Sequence, residues 1–258
     1  MMQLEICVDS VESAIAAEQG GAQRVELCSA LSEGGLTPSA GLLREVRASI
    51  GIGVHVMIRP RGGDFLYTEH EFKVMQDDIA FAAECGAHGV VFGLLTAEGN
   101  VDTVRTRTLV QLAQPLEVTF HRALDMTRDP STAIKDIIQT GADRVLTSGA
   151  EPTALLGHHR IHSMIQASAG QIKIMVGGGV RPQNVREIAA RTGAVEFHAA
   201  LRKSIESPVT FRNRKLHLGD AGGDEYARTV VHASDVRALR QAIEAAGALA
   251  AKPAATSV

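Results

Sequence analysis

Side chains that could hold a metal or move a proton fall at alternate positions of short apolar runs. Glu5, Cys7 and Asp9 alternate with Leu4, Ile6 and Val8, and Glu26 and Cys28 with Val25 and Leu27. His55, Met57 and Arg59 alternate with Val54, Val56 and Ile58. Thr119 and His121 alternate with Val118 and Phe120, and Glu196 and His198 with Val195 and Phe197. Two chemistries can be drawn from this set. Cys7 and Cys28, with the thioethers of Met57 and Met175, are soft sulfur donors of the kind Cu(I) prefers. Asp9, Arg59 and His121, joined by Glu26, Ser148 and His198, offer an acid, a base and a cation for proton transfer on a small molecule. Gly177, Gly178 and Gly179 precede Arg181 and a helix-length stretch, so their backbone amides could hold an anion. The bland reading stands beside each. Cysteine and methionine pack well in cores, glycines permit tight turns, and a buried arginine can be satisfied by a structural carboxylate.

The alternation itself says which elements carry these groups. A side chain changes face at every residue of a strand, so one face of each run is apolar and the other is not. Eight such runs occur. Four follow a Gly-Ala pair, at Gly21, Gly86, Gly141 and Gly193, and four more, QLEICV, GVHVMIRP, EVTFHR and IKIMVGGG, lie between them. Each is followed by a helix-length stretch, and eight alternations in 258 residues are what a closed (β/α)8 TIM barrel requires. Helices pack on the apolar face, which sends the polar residues into the lumen, toward the end where such barrels act. Asp9 with Glu12, Thr37-Pro38 and Asp129-Pro130 are the expected helix starts. An unusually long connection from about Ala199 to Val231 precedes a final helix from about Ser234 to Ala246, and could cap the lumen or form a subunit contact. The barrel domain is expected over 1–248, with 249–258 a disordered tail.

Composition excludes several classes. The net charge of -3 lacks the basic excess of a nucleic-acid binder, and no apolar run approaches the length of a membrane span. Three cysteines, Cys7, Cys28 and Cys85, and an opening strand without a signal-like segment predict a reducing cytoplasm. There is no HExxH, no CxxC and no P-loop, which removes the common zinc and nucleotide readings.

The segments EICVDS (5–10), RVELC (24–28), GGLTPS (34–39), MIRPRGGDF (57–65), TFHRALD (119–125), LTSG (146–149) and GGGV (177–180) together resemble the copper homeostasis protein CutC family. The resemblance runs from the first strand to the last helix. It implies a cytoplasmic TIM barrel, often a homo-oligomer, linked to copper tolerance, with Cu(I) bound by two cysteines that match Cys7 and Cys28. Two positions depart from the family pattern. Ala200 stands where a hydroxyl residue is usual, and Ala150 where a second glycine is usual. The expected partner is therefore a copper ion. The alternative is an enzyme using acid/base chemistry on a small anionic, perhaps phosphorylated, metabolite, with Asp9, Arg59 and His121 converging on one pocket rimmed by Gly177 to Gly179.

Overall fold

The computed structural model describes residues 2–216, 218 and 224–250. Eight parallel strands close into a barrel in chain order: β1 (Gln3–Val8), β2 (Arg24–Leu27), β3 (Gly53–Met57), β4 (Gly89–Phe92), β5 (Glu117–Phe120), β6 (Arg144–Thr147), β7 (Lys173–Val176) and β8 (Glu196–Ala199). The helices α1 (Val11–Gln19), α2 (Ala40–Ser49), α3 (Glu69–Glu84), α4 (Thr103–Ala113), α5 (Pro130–Thr140), α6 (His158–Ser168) and α7 (Val185–Thr192) alternate with them. The long connection is partly ordered as an antiparallel hairpin, β9 (Arg202–Glu206) and β10 (Ala227–Val231), and α8 (Ala233–Ala250) ends the fold. That last helix extends past the expected Ala246, and residues 251–258 of the expected tail lie outside the described residues.

The alternation sorts as the sequence requires. Leu4, Ile6, Val25, Leu27, Val54, Val56, Val118, Phe120 and Phe197 join the core between sheet and helices, while Cys7, Cys28, Met57 and Val91 form a separate cluster inside the barrel. Val195 is an exception. It precedes β8 and is exposed, so the apolar face of that strand begins at Phe197.

Two expected helix starts shift. Ser10, not Asp9, caps α1 by accepting from the Ser13 N–H, which frees the Asp9 carboxylate. Ser39, not Thr37, caps α2. Thr37 instead accepts from the Arg59 N–H at 3.0 Å and ties the loops after β2 and β3 together. Asp129 caps α5 with Pro130 in the first turn, as expected.

The floor of the lumen is ionic rather than aliphatic. Arg144 reaches Glu196 at 2.5 Å and Glu117 at 3.1 Å, Lys173 reaches Glu117 at 3.2 Å, and Arg24 bonds Glu5 and lies 3.4 Å from Glu196. Each buried charge thus has an opposite partner, without which burial would cost several kcal/mol. Met175 belongs to this layer, 3.1 Å from an Arg24 nitrogen, and not to the sulfur cluster in which the sequence grouped it. His55, also on the floor, is buried 3.6 Å from Glu117, and burial holds it neutral, with a pKa of about 3.

Candidate metal and anion site

Strand order brings β1, β2, β3 and β8 side by side, so their inward residues meet above the ionic floor. The Cys7 and Cys28 sulfurs lie 3.8 Å apart. Cys28 is fully buried beneath the cavity floor, and Cys7 lines the cavity. Met57 belongs to the same buried cluster. Gly35 closes the pair from the loop after β2: at φ 95° a Cβ there would sit 3.0 Å from the Cys28 sulfur. Only glycine occupies that position without strain.

His198 connects the sulfurs to the charge ladder. Its Nδ1 is 2.7 Å from Glu5 and its Nε2 is 3.9 Å from Glu26. Burial disfavours the imidazolium, but Glu26, Cys7 and Glu5 outweigh it and raise the His198 pKa well above the ordinary value. Burial likewise pushes the Glu5 carboxyl up, and Arg24 with His198 reverse this and hold it well below the usual carboxylate range. Hydrogen bonding from Cys28 draws the Cys7 thiol down to about 5 against burial, with His198 adding to the effect. Cys28, as donor to Cys7 and buried, is pushed well up. Glu26 is also raised, chiefly by burial. The arrangement sets a Cys7 drawn toward thiolate beside a His198 drawn toward its protonated form, with Cys28 drawn toward the neutral thiol. Cys7, Glu26 and His198 also place one potential ligand atom each within 4.8 Å of one another.

Above the thiols opens a cavity of about 300 Å³ at the carboxyl ends of the strands. Cys7, Glu26, Arg59, His121, Gly178, Gly179, Arg181 and His198 all contribute to its wall, so most of the residues picked out by type and spacing do share one space. Three do not. Asp9, displaced to the neighbouring depression under the β9–β10 hairpin, interacts with Arg202, and burial raises its pKa. The expected convergence of Asp9 with Arg59 and His121 is therefore corrected. Gly177 is no rim residue: its N–H is taken by Thr147, and a Cβ there would meet Leu146 at 2.6 Å and His198 at 3.4 Å, so it is glycine for packing. Ser148 is fully buried and bonds Asp125 and Arg122 outside the sulfur layer.

His121 corrects a second expectation. Its Nδ1 accepts from the Ala123 N–H, which places the proton on Nε2, and burial with the nearby Arg59 lowers its pKa to about 3. It is a neutral imidazole and does not exchange protons near neutrality. Phe65 packs on it with ring centroids 4.9 Å apart. The two departures from the family pattern have different consequences. Ala150 adopts the left-handed φ of 54° that glycine favours, its N–H donating to Asp125, while Ala200 simply lines the cavity. Arg122 and Arg202, which also line it, escaped the sequence reading. Arg122 directly follows His121 at a strand end, where its position was legible. Arg202 follows β8 in a connection whose path no local pattern dictates.

The family model described as CutC family matches residues 2–203. A family protein CutC from Chromobacterium violaceum is 48% identical over 243 residues, covering 94% of this chain and 98% of the relative. The copper homeostasis protein cutC homolog of Homo sapiens is 47% identical over 237 residues, 92% of this chain and 87% of the relative. A crystal structure from Streptococcus agalactiae, given the same copper homeostasis CutC description, superposes with a TM-score of 0.73 at 33% identity, covering 77% of this chain and 98% of that one.

Proposed function

The chain belongs to the CutC family, and from that premise we propose that it serves copper homeostasis by holding Cu(I) between Cys7 and Cys28. The observation that carries this reading is the 3.8 Å separation of two thiols on the inner face of adjacent strands. A metal about 2.3 Å from each sulfur spans such a gap. The donor chemistry agrees. Cys7 is drawn toward thiolate by Cys28 and His198, the thiolate is the ligating form of cysteine, and the Met57 thioether stands in the same cluster. His198 itself is a weaker candidate, since its Nδ1 is engaged by Glu5 and its charged form cannot ligate. Its part is to keep Cys7 anionic. A reducing compartment such as the cytoplasm would keep the pair free for metal, and no described helix is long and apolar enough to cross a membrane.

The test is a competition titration of anaerobic protein against a chromogenic Cu(I) chelator. The wild type should take one Cu(I) per chain, and Cys7→Ser/Cys28→Ser should weaken binding by more than about 100-fold with an unchanged circular dichroism spectrum, since changes even one shell further out commonly cost 10- to 100-fold. Equal affinity in the folded double variant would rule the reading out.

A further inference from the structure

We infer that the cavity above the thiol pair is a binding site for a small phosphate ester, its phosphate held by the Gly178 and Gly179 amides with Arg181 and Arg202. The first observation is an imbalance of charge. Four arginines, Arg59, Arg122, Arg181 and Arg202, line the cavity against a single carboxylate, Glu26, which His198 faces. Arg122 is neutralised by Asp125 at 2.8 Å. Arg59, Arg181 and Arg202 form no ion pair among the described residues, although Arg202 also feels the Asp9 charge.

Arg59 is the telling case. It is 6% exposed, donates to the carbonyls of Glu33, Gly35 and Gly63, and leaves its Nε without a partner. Beyond these carbonyls the guanidinium stacks 5.0 Å from the Phe65 ring centroid and meets no carboxylate among the described residues, so an anion in the cavity would compensate its charge. Two further polar atoms in the wall, His121 Nε2 and Glu26 Oε1, are buried and lack partners.

The second observation concerns the backbone after β7. Gly178 and Gly179 line the cavity at φ 92° and 75°, and their N–H groups find no acceptor among the described residues. A Cβ at Gly178 would meet Ser148 at 2.9 Å, so the loop could not carry side chains in this path. Successive free amides next to guanidinium groups match a phosphate, whose three terminal oxygens need more donors than the two of a carboxylate. Size narrows the class. The cavity, at about 300 Å³, lies at the small end of the range of small-molecule sites, which suits a short phosphate ester such as one of three carbons. The inference uses none of the copper argument, and either can fail alone.

Calorimetric titration of metal-free protein with glycerol 3-phosphate, against glycerol and lactate, tests it. Glycerol 3-phosphate should bind at sub-millimolar concentration, with glycerol and lactate at least tenfold weaker. Arg181→Ala/Arg202→Ala, both exposed positions, should lose at least tenfold with an unchanged melting temperature. The charge-matched control Arg107→Ala/Arg186→Ala, away from this cavity, should bind like the wild type. No heat of binding with glycerol 3-phosphate, equal binding of lactate, or an equal loss in the control pair would each overturn the assignment.

Discussion

At the scale of single residues, the site divides its histidines by what surrounds them. His198 meets two carboxylates and a thiol and holds its proton, while His121 meets Arg59 and aromatic rings and does not. The second case has a consequence for stability. A base whose folded pKa is about 3 against an unfolded value near 6.5 leaves the unfolded chain carrying more protons as pH falls. The contribution is complete above about pH 6.5 and is lost by about 1.4 kcal/mol per pH unit down to about pH 3. Urea unfolding of the wild type between pH 6 and 4 should therefore show a slope that His121→Gln reduces by that amount. An unaltered slope would mean that His121 is not held neutral. His198 has the opposite sign: its raised pKa stabilises fully below about pH 6.5, and the contribution is lost as pH rises through the folded value.

At the scale of elements, the strands aim the donors and the loops after β2 and β3 seal them. Arg59, at the end of β3, stitches these loops by its three carbonyl contacts, and Gly35 lets the first of them lie on the Cys28 sulfur. Gly35→Ala introduces a side chain at φ 95° and 3.0 Å from that sulfur. It should cost about 1–3 kcal/mol of stability and weaken Cu(I) by disturbing Cys28, whereas Gly41→Ala, which meets nothing within 4 Å in α2, should cost nothing. Chemical denaturation of both variants decides it. Equal stabilities would place the loop elsewhere. The hairpin β9–β10 shows how an element escapes sequence reading: its strands are largely exposed and carry no clean apolar alternation, so its 227↔206 to 231↔202 pairing left no local signature.

At the scale of the whole molecule, the lumen is a ladder of paired charges running from Lys173 through Glu117, Arg144, Glu196, Arg24 and Glu5 to His198. It joins six of the eight strands across the barrel and ends at the thiols. Arg144→Met would leave Glu196 with its longer Arg24 contact alone, and should destabilise by about 3–5 kcal/mol. Lys73→Ala, which removes an exposed pair with Asp77, should change stability by less than about 1 kcal/mol. Denaturant midpoints of the two variants check this, and a mild effect of Arg144→Met would show that the ladder is not a buried, mutually compensating network.

The sequence by itself determined the barrel and the face on which each strand residue lies, because the period of two and the Gly-Ala starts are local properties of the chain. It also put Cys7, Glu26, Cys28, Arg59, His121 and His198 on the inside. What it could not decide was height and charge. Heights depend on the stagger between strands, which pairs Cys7 with Glu26 and Glu5 with His198 and drops Met175 to the floor beside Arg24. The diversion of Asp9 depends on a hairpin more than 190 residues away in the chain, and the protonation of His121 and His198 on fields summed over strands that meet only when the barrel closes. These are sums over distant partners, and only the tertiary structure supplies them.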